Sequence, residues 1–178
     1  MITTLLSLLA ALALQSAQAT LPPGVDPLAE DTVLAYGGPE PVVVETDAGP
    51  VSFSAEIADT QLTRSRGMMW RESLAPEAGM LFLHEQPQYL SYYMRNTLIP
   101  LDLLFIREDG EIAKIIVNAQ PLSLRALPSD TPVSAVLELA GGRSVEAGID
   151  PGDIVRHPFF GNAEQAAEAE PAAAAPQD

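Results

Sequence analysis

Apolar and polar residues alternate with a period of two over much of the middle of the chain. VVVET (42–46) and VSFSAEI (51–57) are β-rich runs separated by DAGP, a hairpin signal, and Val51, Phe53, Ala55 and Ile57 share one face. The period then changes. In ADTQLTRSRGMMW, Asp59 or Thr60 can cap a helix, and Leu62, Arg66 and Met69 recur at helical spacing, which predicts a short helix to about Met69. GMLFL (79–83), YLSYYM (89–94), LDLLFI (101–106) and EIAKIIV (111–117) predict four strands arranged as a meander, with REDGE a tight turn between the last two. A Pro-rich loop over 120–132 leads to VSAVLEL, then to a turn with a short helix in AGGRSVEAGI, and DPGDIV turns into a last strand. The expected fold is mainly β (α+β): a compact antiparallel β sandwich or barrel with one or two short helices. A doubly wound sheet needs crossover helices, and residues 84–117 leave no room for them.

The two ends read differently. LLSLLAALAL (5–14) is too short to span a bilayer comfortably and is followed by SAQA, which predicts a signal peptide over 1–19 cleaved after Ala19. Its leading MITT carries no Lys or Arg, so only the amino terminus supplies positive charge there. The expected location is periplasmic or secreted, with no stable membrane span after cleavage. Residues 20–41, mixed in Pro, Gly and acids, predict a flexible N-terminal arm, and the Ala/Glu/Pro stretch over 158–178 a disordered tail. The β domain is placed at 42–157.

Composition narrows the function. The chain has no cysteine, so an exported core must hold without disulfides. Its net charge is −15, but eight of the 24 acidic residues lie outside 42–157, leaving 16 acids against all nine bases and a net −7 in the domain. An acidic domain disfavours nucleic-acid backbones and anionic membranes as partners.

Candidate chemistry centres on YYMRNTLIPLD (92–102), where Arg95, Asn96 and Asp102 interrupt an apolar region. Residues 101–106 are apolar on both faces except Asp102, so this strand is expected to be buried on both sides. A desolvated carboxylate needs a donor, and Arg71, Arg95 and Asn96 are the candidates. Asn96 tolerates the left-handed backbone region and suits a corner. Two readings stay open here, a braced corner and a cleft for a small polar ligand. Trp70, next to the arginines of RSRGMMWR, offers an aromatic face for a sugar or guanidinium, and the arginines a grip on an anion. Asp102 and Glu138, each flanked by apolar strand residues, form the alternative of a glycan hydrolase. No nucleophile elbow is present, and His84 and His157, the two histidines, lack zinc-motif companions. Met68, Met69, Met80 and Met94 sit in apolar runs and read as core rather than as Cu(I) ligands, so no metal or cofactor is expected.

TRSRGMMWR, GMLFLHEQPQYLSYYMRNTLIPLDLLFIREDGEI and VLELAGGRSVEAGIDPGDIV resemble, in order, the signature blocks of the bacterial and archaeal family known as domain of unknown function 192. The resemblance covers residues 50–156. It implies a compact, mainly β fold with one or two helices and no established reaction. The matching polar positions are Arg64, Arg71, Asn96, Thr97, Asp102, Glu138 and Asp153. The family's Phe-Trp-Met-Lys-Asn-Thr block departs here: Tyr92, Tyr93, Met94 and Arg95 stand in its first four places, and Arg95 replaces a point charge by a planar fork. The combined expectation is an exported, non-catalytic β domain that binds a small polar ligand, a sugar or anion, or a protein partner. The site residues are Trp70, Arg71, Arg95, Asn96, Asp102 and Glu138. The alternatives are the hydrolase and a structural or interaction module without a ligand.

Overall fold

The computed structural model describes residue 21 and residues 23–163. The expected signal peptide and most of the expected tail lie outside them. Among the described residues no helix is long and apolar enough to cross a membrane. The elements are β1 Gly37–Thr46, β2 Gly49–Ala58, α1 Gln61–Arg66, β3 Ala78–Tyr92, β4 Leu101–Ile106, β5 Ile112–Ala119, β6 Leu127–Ala140, α2 Arg143–Glu146 and β7 Ile154–Arg156, followed by a 3-10 turn over Pro158–Phe160.

The strands form one sheet in the order β5-β4-β6-β3-β2-β1-β7. Every neighbouring pair is antiparallel except β2 and β3, which run parallel because the chain crosses between them through α1. The sheet curls until its two edges meet: Glu111 bridges Ile154, Ile112 N donates to Asp153 O at 2.9 Å, and Val155 N donates to Gly110 O at 2.8 Å. This is the mainly β architecture expected, rolled toward a barrel.

Two expected details change. GMLFL and YLSYYM are halves of one long strand, β3, whose ladder shifts register between Leu83 and Gln88, where Pro87 cannot donate a ladder hydrogen bond. Nor do residues 79–117 form a meander. β6 begins at Leu127, inside the expected loop, and inserts between β3 and β4. Alternation reveals strands but carries no information about which strand pairs with which.

The curled sheet separates two apolar clusters. Val42, Phe53, Leu104, Leu137, Leu139 and Val155 fill the concave side. Met68, Met80, Phe82, Met94, Leu103 and Phe105 fill the convex side, beneath α1 and the 92–100 corner. Met68, Met69, Met80 and Met94 are therefore buried residues. Because β3, β4 and β6 contribute to both clusters, all six residues of β4 are buried, as its two apolar faces predicted.

Helix α1 starts at Thr60, not Asp59: Thr60 Oγ1 accepts from Thr63 N and Thr63 Oγ1 from Thr60 N, each at 3.1 Å, a reciprocal capping box. It stops at Arg66, short of Met69, because Gly67 takes φ 47°. A Cβ on Gly67 would lie 3.0 Å from the Phe82 ring, so only glycine lets the helix end settle on that ring.

Described residues on both sides of 42–157 pack against the domain. β1 begins at Gly37, and the segment before it is held against α1. Buried Arg66 donates to the carbonyls of Pro27, Ala29, Glu30 and Thr32, and Trp70 Nε1 to Leu28 O at 2.9 Å. A guanidinium taken out of water needs several acceptors, and the strand-free backbone of 27–32 supplies them. At the other end Asn162 Nδ2 donates to Val155 O at 2.9 Å, which fastens residues past 157 to β7.

Candidate ligand cavity

The residues expected to converge are dispersed. Asp102 is fully buried at 0% exposure, with no arginine or Asn96 bonded to it. Its Oδ1 accepts from Asn118 N and Gly142 N, each at 2.8 Å. Its Oδ2 accepts from Ser144 N at 2.8 Å and from Ser144 Oγ at 2.6 Å. The carboxylate thus ties β4 to the end of β5 and to the turn that starts α2. Arg71 instead pairs with Glu56 of β2 at 2.5 Å and lies over the Tyr36 ring. Arg95 is exposed and lies over the Tyr93 ring. Asn96 adopts φ 56° as a corner residue, and its carbonyl accepts from Trp70 N at 2.8 Å. Trp70, half-buried, spends its indole N–H on Leu28. The expected donors of Asp102 are corrected accordingly: the carboxylate is satisfied by backbone N–H groups and one serine.

Asp102 and Glu138 cannot face one another. In the β4–β6 ladder Asp102 is opposite Leu139, and Leu103 is opposite Glu138. Opposed residues share a face, so Asp102 lies on the concave side with Leu139 and Glu138 on the convex side with Leu103. A two-carboxylate glycosidase site needs both acids on one substrate. This pair does not provide it.

Glu138 opens instead onto a cavity of about 260 Å³ between α1, β3 and β6. Phe82, Met68 and Leu90 give it apolar walls, while Arg64, His84 and Tyr92 supply polar groups around Glu138. Glu138 is only 5% exposed, yet among the described residues none hydrogen-bonds its carboxyl. Burial pushes its pKa from 4.5 up to about 8, against the pull of the nearby Arg71 guanidinium. The acid is therefore largely protonated at neutral pH. Burial, aided by the Arg64 charge, holds His84 down to about 4, so its imidazole is neutral. With Gln88 Nε2 donating to Nδ1 at 3.1 Å, that ring carries its proton on Nε2 and donates to Tyr92 Oη at 3.3 Å. Burial also raises the Tyr92 phenol, which keeps its own proton to donate. Arg64 Nη1 is anchored on the carbonyls of Asp59 and Leu83, the latter at 2.8 Å, and among the described residues Nε and Nη2 have no acceptor.

Of the six expected site residues, only Glu138 lines this cavity. His84 and Tyr92 were weighed as a metal ligand and an aromatic block, and their strand spacing gives no sign that they flank Glu138, because β6 supplies that acid from across the sheet. Arg64 belongs to the RSRGMMWR cluster that did suggest an anion site. Among the described residues no group of three His, Asp or Glu side chains is placed to hold a metal.

The fold and cavity define a small curled-sheet domain in which, among the described residues, the buried acid Glu138 is unpartnered. The chain belongs to the DUF192 family (uncharacterized ACR), whose profile matches residues 42–157. Two solved structures are similar at 36% identity each. One is a protein of Sinorhizobium meliloti 1021 described as a "putative transcription regulator", with TM-score 0.69 over 72% of this chain and 99% of that one. The other is a protein of unknown function from Novosphingobium aromaticivorans DSM 12444, with TM-score 0.66 over 75% of this chain and 99% of that one. Among curated proteins nothing matches the chain.

Proposed function

We propose that this protein is an exported, non-catalytic binding domain that takes a small polar ligand into the cavity beneath α1. The observation that carries the reading is Glu138, a buried carboxyl without a protein partner on the wall of an open space. A ligand that pairs this carboxyl, which has little access to water, adds a hydrogen bond that contributes on the order of 0.5–1.5 kcal/mol. A neutral acid, a neutral imidazole and a phenol, set among Phe82, Met68 and Leu90, suit a ligand with one polar end and an apolar body. The net −7 of residues 42–157 disfavours the DNA-binding role that the description of the Sinorhizobium protein would suggest.

A thermal-shift screen of sugars, carboxylates, phosphates and amines tests the reading. A ligand bound only by the folded state raises stability by about 2.7 kcal/mol at a hundred times its Kd. At least one class should raise the midpoint of the wild-type protein and leave Glu138→Leu unchanged. No shift with any class would contradict it. Export rests on the LLSLLAALAL-SAQA pattern and predicts a mature chain beginning at Thr20 in an exporting host; an intact mass that retains Met1 would contradict that part.

A further inference from the structure

Two polar groups of different character line the cavity. Glu138 is 5% exposed and, among the described residues, unpartnered. Half-buried Arg64 is pinned through Nη1 to two backbone carbonyls, which orients its remaining edge, Nε and Nη2. Tyr92 lines the same space, near enough to Glu138 and Arg64 for each to bear on its hydroxyl. A guanidinium with an open edge, a phenol with its proton free and a protonated carboxyl each offer a hydrogen-bond donor, and a cationic ligand would meet repulsion from Arg64.

We propose that the ligand is a small carboxylate with an apolar body, its two oxygens shared between the Glu138 carboxyl and the free edge of Arg64, and its body lying on Phe82 and Met68. This rests on the cavity being a ligand site, and narrows which ligand it takes. An anionic acceptor between a guanidinium and a neutral acid forms charge-assisted hydrogen bonds at both ends. The Glu138 proton stays in the bond between the two carboxyls; no covalent bond changes. Removing that proton would set two carboxylates against each other in a partly enclosed space, so binding of the anion is linked to protonation of Glu138.

The groups around Glu138 leave it alone to titrate in the relevant range. α1 contributes Arg64 and Arg66, and the turn after it Arg71 paired with Glu56 of β2. β3 contributes His84, neutral above about 4, and the phenol of Tyr92, raised by burial, while Tyr36 beside Arg71 is pushed up to about 12. Of Glu138, His84, Tyr92 and Tyr36, Glu138 is the one whose proton is exchanged between pH 7 and pH 9; Tyr93 is the further phenol on the cavity wall.

Isothermal titration of the mature chain with benzoate and butyrate, with benzamide and butyramide as neutral counterparts and benzylamine as the cation, decides the matter. The carboxylates should bind more tightly than the amides, and their affinity should fall about tenfold between pH 7 and pH 9, from the fraction of Glu138 that keeps its proton at a pKa of about 8. Glu138→Gln, which retains a donor, should bind the carboxylates with no such fall. Arg64→Met should weaken the carboxylates and leave the amides as they were. Amides binding as tightly as carboxylates, with no pH dependence, would overturn the carboxylate assignment and leave the cavity reading standing. Benzylamine binding that tightens with rising pH would do the same. No binding by any of the five probes overturns the carboxylate proposal, whereas the broader screen decides the cavity reading separately.

Discussion

Asp102 and Glu138 sit on adjacent strands, diagonal neighbours in one ladder, and both are buried. They nevertheless do opposite things. Asp102 points into the concave side and collects four donors from three residues on two stretches of chain, Asn118 and the turn of Gly142 and Ser144. Glu138 points to the convex side and collects none. A carboxylate saturated by backbone N–H groups has no valence left for a ligand; an unpaired acid facing a cavity has nothing but that valence. Burial of an acidic residue therefore says little about function until its hydrogen bonds are counted. Within the polar island of residues 92–102 Asp102 acts as a brace, and the unpaired acid comes from elsewhere.

Substitution should separate the two acids by sign. Asp102→Ala leaves four donors without their acceptor at the junction of β4, β5 and α2, and should destabilise by roughly 3 to 5 kcal/mol in urea unfolding. An effect under about 1 kcal/mol would show that water or a rearranged turn replaces the carboxylate. Glu138→Gln should do the reverse. Its folded pKa of about 8 stands above the ordinary 4.5, so the unfolded chain ionises first and wild-type stability falls as pH rises from about 4.5 to 8. The amide removes that penalty. The variant should exceed wild type by roughly 2 to 4 kcal/mol at pH 8, allowing for solvent in the cavity, and match it near pH 4. Equal loss of stability at both pH values would place Glu138 with Asp102 as a brace. The smallest effect belongs to Asn96, whose φ of 56° an alanine tolerates poorly. Asn96→Ala should cost about 1 kcal/mol and Asn96→Gly less, while neither alters ligand binding, since the corner only carries the chain past the cavity.

How much of this was legible in the residues depends on the range of the interaction. Burial of both faces of β4 followed from six consecutive positions, and the left-handed corner from Asn96 itself, because side-chain parity and local backbone preference are short-range properties. The donors of Asp102 were not legible. A search for complementary side chains looks to Arg71 and Arg95, whereas the groups that satisfy Asp102 include three backbone N–H groups, which every residue but proline carries and no composition reveals. Arg66 illustrates the same blindness: as one of several arginines near a helix it looks solvent-exposed, yet it holds residues 27–32 through their carbonyls. The cavity was hidden for a different reason. Glu138 meets His84, Tyr92 and Arg64 only because β6 inserts beside β3 and α1 crosses above, and strand order is a long-range property that alternation cannot encode.

The most direct test of the difference between the two acids is the titration of Glu138 itself, followed through its side-chain carboxyl carbon by NMR from pH 3 to pH 10. An unpartnered acid buried against a cavity should show its midpoint near 8, as burial raises it, and Glu138→Gln should remove that resonance and no other. A Glu138 midpoint near the ordinary 4.5 would mean that the carboxyl is solvated or paired in the folded protein, and would contradict its assignment as the free group of the cavity.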